Sequence, residues 1–404
     1  MELVDISLNK YKMSLDNMSY KKDSTQDEQI KLQILEGAEV VSKYGEQWDD
    51  LFARAVDAPP FLSHPWTSTY IEEEWIKGTS LFILAWSGSK LVALFALEVR
   101  KFLSATIAMP ISTRKGFYLG LLLDPDYRSV VEYMADTIKS SKVFDVFCSE
   151  DLSSEDRATN DLLDELVKKG YSRRQVFRNP CFYFQLGCSF DEYFQKKASS
   201  KSRQNLRRRE RRLFESGEVK VEHYVGGEVT PDILVRIAAI EEQSWLKRRG
   251  AAVLGKPFYK KLLLKMAQAG FGHVWLMTIN GDDAAFEYVF ISHKKLQFGW
   301  RAFKLKHSSS VSIGQILMMH TIRHACSNGI LSMDIGHGEA DYKRFWAEDC
   351  NKVNRVVAGR GFRGYIVATS YYNAWRLGEI KWFHSSYRRI RRVLRGFRQK
   401  KVKA

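Results

Sequence analysis

Apolar and polar positions follow the same pattern in two separate stretches of the chain. LFILAWSGSKLVALFALEV, around Gly88, reads as two β-rich runs joined by a Ser-Gly-Ser turn; VWLMTINGDDAAFEYVFIS, around Gly281, reads the same way with Asn-Gly-Asp as the turn. Such runs on either side of a Gly turn predict β-hairpins. Downstream of each hairpin the period lengthens to that of a helix (Tyr127 to Ser140; Ile313 to Ser327). A short strand with a central acid follows, KVFDVF with Asp145 and ILSMDI with Asp334. A further helical stretch (Asp161 to Lys169; Asp341 to Glu348) and a closing strand (Gln175 to Leu186; Asn354 to Gly359) complete each copy. An order repeated in this way predicts two copies of one α/β unit rather than one large sheet. The first is expected over residues 31–187 and the second over 188–366.

The second copy has an extra front end. It opens with FDEYFQKKASSKSRQNLRRRERRLFESG, then the strand VKVEHY, then two helical stretches. Thr230-Pro231 suits a capped helix start, and Gly217, Gly250 and Gly270 suit helix ends. Elements added to one copy predict that this copy holds the active site and that the other is scaffold. Residues 1–30 lack an apolar period and read as a disordered segment without a secretory h-region.

Composition narrows the class. With 404 residues, 45% hydrophobic and 13% aromatic, the chain is long enough for two domains and can bury a sizeable core. Five scattered cysteines, with no C-x-x-C pair, argue against a disulfide framework or a structural zinc, so a reducing cytoplasm is expected and no metal is. No stretch reaches the ~20 apolar residues that span a bilayer. The net charge of +16 is uneven: Lys381 to Ala404 holds ten Lys or Arg and no acid. There Phe383, Tyr387, Ile390, Leu394 and Phe397 make one apolar stripe, so 367–404 reads as a basic amphipathic helix. It could meet an anionic membrane at its inner face or dock on its own protein.

A second cationic element is internal. Lys201 to Arg212 carries seven cations and one acid, Glu210, with only Leu206 and Leu213 as an apolar seam. Like charges at i, i+4 cost a few tenths of a kcal/mol each, and guanidinium groups suit phosphates. Arg207, Arg208 and Arg211 are therefore candidates for an anionic substrate, against a solvated face or a nucleic-acid contact. His320 and His324, four apart, lack the glutamate and third ligand of a metal site.

Four motifs stand in one order: the cationic helix; IEEQSW from Ile240 to Trp245; Ser-x-Gly-x-x-Leu from Ser312 to Leu317; and DIGHGEADYKRFW from Asp334 to Trp346. In this order the chain resembles the CelD-type acetyltransferases associated with cellulose and exopolysaccharide biosynthesis. That family is of the GNAT superfamily and is itself similar to the Fem-type peptidyltransferases built from two such domains. The resemblance implies two tandem GNAT-like domains with mixed twisted sheets, and an acetyl or short acyl group passed from acetyl-CoA or another acyl-CoA to an amine. The acceptor it implies is an amino sugar or a nucleotide- or lipid-linked sugar. Coenzyme A diphosphate is expected on Ser312, Ile313, Gly314 and Gln315, with an oxyanion donor from the backbone near Trp300 or Arg301. Glu241 or Glu242 is a base candidate, and the resemblance favours Glu241. Tyr342 is expected to protonate the leaving thiolate. Asp334, in an apolar strand, is expected either to pair with Lys343 or to serve as a base, and His337 is a further proton-transfer candidate. Trp245, Glu339 and Lys343 are expected to meet polar groups of the substrate. Two positions depart from the family pattern: Ile313 replaces a proline, and Lys304 replaces a common acid. Two readings compete with this one, a Fem-like transferase using aminoacyl-tRNA and a catalytically silent scaffold of a polysaccharide synthase.

Overall fold

The computed structural model describes residues 18–20, 30–102, 104–112, 118–307 and 312–379; the segment expected to be disordered and the basic tail beyond Glu379 lie largely or wholly outside these. The first copy runs β1 (Met18–Tyr20), β2 (Ile30–Glu36), α1 (Glu39–Lys43), α2 (Gly45–Arg54) and α3 (His64–Glu72), then the hairpin β3 (Thr79–Ser87) and β4 (Lys90–Phe102). It continues through β5 (Ala105–Pro110), β6 (Leu122–Leu123), α4 (Val130–Ser141), β7 (Val146–Ser153), α5 (Arg157–Lys168) and β8 (Tyr171–Gln185). The second copy opens with α6 (Phe190–Lys197) and α7 (Ser200–Glu215), then β9 (Val219–Val225), α8 (Pro231–Glu242), α9 (Trp245–Arg248) and α10 (Pro257–Gln268). The hairpin β10 (Gly272–Ile279) and β11 (Asp282–Ser292) leads to β12 (Lys295–Phe303), α11 (Ile313–Ser327), β13 (Ser332–His337), α12 (Asp341–Trp346), β14 (Asp349–Arg360) and α13 (Gly361–Glu379).

The two copies share one mixed sheet. Its order is β1-β2-β3-β4-β5-β7-β14-β8-β13-β12-β11-β10-β9, with β6 on β4. The closing strands are exchanged: β14 of the second copy lies between β7 and β8, and β8 of the first copy pairs with β13 of the second. Separate sheets were expected, and the exchange replaces them. The β8–β14 ladder runs from Tyr171↔Arg360 to Tyr183↔Asp349, a longer seam than either strand makes with any other neighbour. Expectations at helix ends agree with the coordinates: Thr230 Oγ1 accepts from the Ile233 N–H, and Gly270 is left-handed at φ +80° after α10.

Four buried clusters hold the layers together. One face of the first half is covered by α4 and α5 through Val130, Met134, Ile138, Leu162 and Leu166. The matching face of the second half is covered by α6, α7, α11 and α12, with Trp346 fully buried. Helices α2 and α3 of the first copy and α8 and α10 of the second merge into one core around Trp48, Trp66, Tyr70, Phe258 and Leu262; Trp75 stacks on Phe258 at 3.9 Å. Each fully buried large apolar side chain contributes about 1.5–3 kcal/mol. A small fourth cluster seats α13 on β5, β7 and β14.

Candidate active site

The site begins with a glycine in β12. On its β11 side, Tyr288 pairs with Trp300 and Val289 with Phe298, so Gly299 is left without a partner, a β-bulge. A Cβ at Gly299 would lie 2.7 Å from Phe290 Cε2, a contact only glycine avoids. On the other side β12 runs parallel to β13 for just three pairs, Lys295↔Ser332 to Gln297↔Asp334. Beyond the bulge the two strands diverge and leave a wedge between them. The wedge opens into a cavity of about 750 Å³, ample for a drug-sized ligand. Arg301, Ala302 and Phe303 line it from β12, Ser312 to Gln315 from the start of α11, and His337 to Lys343 from the end of β13 and from α12.

α11 supplies the anion-seeking end. Ser312 is left-handed at φ 54° and places no side-chain cap on the helix; the first turn carries no acid. The N–H groups of Gln315 and Ile316 bond to the Ser312 carbonyl. Those of Ile313 and Gly314 have no protein acceptor among the described residues. A Cβ at Gly314 would sit 3.2 Å from Phe303, so the small residue lets α11 lie close over β12.

Charged groups line the walls. Arg301 donates from Nη2 to the Gly314 carbonyl at 2.7 Å and lies 4.4 Å from the Tyr342 ring centroid across the wedge. Behind it Glu287, 1% exposed, accepts from Thr321 Oγ1 at 2.7 Å, and its Oε1 is 3.1 Å from Arg301 Nη2. Burial pushes the Glu287 pKa up, against the opposing pull of Arg301. Lys343, 8% exposed, donates from Nζ to the carbonyls of Gly336 (2.9 Å) and His337 (2.8 Å). Burial brings its pKa down to about 8, although Cys181 and Asp334 favour its charge. His337 is pushed down to about 4, by burial first and then by Arg178 and Lys343, so it is neutral at pH 7.

Other expected residues stand elsewhere. Asp334 is not ion-paired with Lys343: its Oδ1 accepts from the Gly336 N–H at 2.6 Å and the Cys181 thiol at 3.2 Å, and Tyr118 contacts Cys181 in turn. Burial raises its pKa. Glu241 does not line the cavity. Its Oε2 accepts from the N–H groups of Val253 (2.8 Å) and Leu254 (2.7 Å), which pins that loop to α8 and takes Glu241 away from the base position. Trp300 does not line the cavity; its side chain packs against Tyr259, Tyr288 and Phe290 on the opposite face. Trp245 lines the cavity with Arg249 stacked on it at 4.9 Å; Glu339 also lines it and pairs with Arg344 at 2.6 Å.

The cationic helix turns a different arginine toward the start of α11. Arg207 pairs with Asp191 at 2.8 Å, Arg208 reaches Asn205 at 3.4 Å, and Arg211 lies 3.9 Å from Glu215, all away from the cavity. Arg209 donates to Ser312 Oγ at 2.9 Å, at the cavity mouth. Glu210 bonds Arg323 at 2.6 Å and His320 at 3.0 Å. Burial alone would raise the Glu210 pKa, but these two partners outweigh it and hold it at about 2. His324 packs edge-on against Trp275 and His223. Among the described residues no group of three or more His, Cys, Asp or Glu could hold a metal ion.

Comparison with known proteins agrees with this geometry. Residues 200–344 match the acetyltransferase (GNAT) domain family. That stretch includes α7, the wedge and α12 as far as Arg344, so the second copy carries a GNAT acyltransferase domain. No curated protein sequence matches the chain. Among solved structures, FemX superposes with TM-score 0.56 at 11% identity, covering 77% of this chain and 95% of its own. The C-terminal DUF2156 domain of a protein named as a lysylphosphatidylglycerol synthetase, from Agrobacterium fabrum, gives 0.51 at 14%, covering 83% and 96%. A conserved protein of unknown function from Bacteroides thetaiotaomicron gives 0.50 at 10%, covering 81% and 100%. At these identities the likeness is one of fold.

Proposed function

We propose that the second copy moves a short acyl group, acetyl in the simplest case, from an acyl-CoA thioester to an amine. One observation carries the reading: the wedge between β12 and β13 ends on an acid-free helix start with two unaccepted N–H groups, at Ile313 and Gly314. Such a terminus suits a diphosphate. Ser312 to Gln315 would hold it, and Arg301, which lines the cavity from β12, and its neighbour Trp300 would offer the oxyanion backbone donors. In the transfer the amine nitrogen bonds the carbonyl carbon, the C–S bond breaks, the amine gives up a proton and the thiolate takes one. Lys343 is the best-matched proton acceptor: its pKa of about 8 leaves a neutral fraction near physiological pH. Tyr342, across the wedge from Arg301, would serve as the donor to the thiolate.

The acceptor is proposed as an amino sugar of a polysaccharide precursor, on the CelD-type resemblance together with the Trp245 ring and the Glu339 carboxylate at the cavity. A second reading, aminoacyl-tRNA as donor, is favoured by Arg209 at the mouth and by the other cations exposed along α7. A silent scaffold would bind neither donor. Calorimetric titration separates the three. Saturable binding of coenzyme A and acetyl-CoA is expected, weakened tenfold or more by Gln315→Glu, which sets a carboxylate beside the diphosphate. Absence of binding to either ligand overturns the proposal. Tight, steeply salt-dependent tRNA binding instead would establish the second reading.

A further inference from the structure

The opposite side of the molecule has a surface that the cleft does not use. α13, about 28 Å long, sits on the sheet through Val367, Ala368 and Gly364; a Cβ at Gly364 would lie 2.6 Å from the Asp145 carbonyl oxygen, so the helix rides close. Its outward stripe carries Phe362, 80% exposed, and Ile366, about half exposed, with Tyr365 on one flank. Half-exposed Phe102, at the end of β4, packs separately beside Tyr371 on the sheet side of the helix. Cations accompany the stripe: exposed Arg363, next to Phe362 in the chain, makes no ion pair among the described residues, and partly buried Arg174 lies over the Tyr365 ring at 4.9 Å. From Gly361 to Gly378 the sequence contains no acid. The chain then continues from this helix into 25 further residues that include ten Lys or Arg.

We infer that the Phe362–Tyr365–Ile366 face of α13 is a docking surface for a bilayer rich in anionic lipid. Three kinds of occupant suit an apolar face of this sort. A second copy of this chain would meet the face across a two-fold axis, setting Arg363 against its own copy. Nucleic acid would answer the cations but leave exposed Phe362 and Ile366 in water. An anionic membrane supplies both partners in one plane, acyl chains for the aromatic and aliphatic side chains and headgroups for the cations. Charge complementarity, together with the cation-rich chain that follows the helix, decides for it.

The test is flotation of the full-length protein with vesicles of phosphatidylcholine alone or with phosphatidylglycerol at a third of the lipid. Binding is expected to the mixed vesicles and not to pure phosphatidylcholine. Phe362→Asp/Ile366→Asp is expected to lower the bound fraction at least fivefold while leaving the melting temperature and coenzyme A affinity unchanged. Both residues are exposed, so the fold does not depend on them. Undiminished binding by this variant overturns the inference, as does equal binding to both vesicle types. So does a wild-type dimer that the variant converts to monomer, because the face would then join two copies. Coenzyme A binding is measured separately, so failure here leaves the transferase reading standing.

Discussion

The same place in the two copies has opposite properties. Where β12 leaves β13, the second copy opens a cavity of about 750 Å³. At the corresponding end of β5, the first copy closes Trp48, Phe61, Leu94, Ile111 and Leu122 around a void of about 10 Å³, no larger than one water molecule needs. The helix starts differ as well. α11 has no acid in its first turn, whereas α4 has Glu132 there, and the segment before α4 buries Asp124 between Arg54 (2.7 Å) and Lys90 (3.0 Å). One copy leaves the N–H groups of a helix start facing a cavity; at the matching place the other buries a carboxylate between two cations. A duplicated unit can thus keep its strand order while one site is filled with side chains.

The sharpest break in this contrast is at the proton acceptor. Lys343→Met is expected to lower kcat at least a hundredfold with coenzyme A affinity nearly unchanged. On the proposed mechanism the neutral amine is the active form of a group with a lowered pKa, so activity should rise as pH increases through about 8; the variant should lose that limb in a pH–rate profile. Next comes the wedge itself. Gly299→Ala forces a Cβ against Phe290 and should cost about 1–3 kcal/mol in denaturant unfolding, with coenzyme A binding lost as the bulge is removed. Changing the closed copy sharpens the comparison: Glu132→Gln should leave coenzyme A binding unaltered, and a change there would assign a ligand to the first copy. The smallest effect is expected at the pin between α7 and α11. Glu210→Gln should cost about 1–2 kcal/mol. Its carboxylate is held at about 2 in the fold against an ordinary value of 4.5. Its contribution is therefore present above about 4.5 and fades as pH falls toward 2, and acid titration of wild type and variant should converge there.

The repeat was legible in the sequence because hairpins, turns and helical periods are local signals, and both copies carry them in order. The exchange of β8 and β14 was not. A strand such as Gln175 to Leu186 has the same alternation whichever copy it closes, and nothing in its residues names its neighbour. Within the site, Ser312 to Gln315 could be read from a strand, a polar loop and a Gly-bearing helix start. Glu287 was missed, although AAFEYVF carries the same signal that drew attention to Asp334, a lone acid in an apolar strand. The side chain of Trp300 points away because alternate residues of β12 face opposite sides. Arg209 could not be chosen from the cationic run, since its neighbours are also arginine; the buried seam of Leu206 and Leu213 orients the helix, and the packing of Glu210 on α11 fixes which arginine reaches Ser312.

The crossed seam also dictates the order in which the chain can mature. Until residues 349–360 leave the ribosome, the edge of β7 turned away from β5 has no mate, so the first copy's sheet cannot be completed during its own synthesis. A chain interrupted after Gln185 but before Asp349 would already hold the strand lent to the second copy while lacking the one lent to the first.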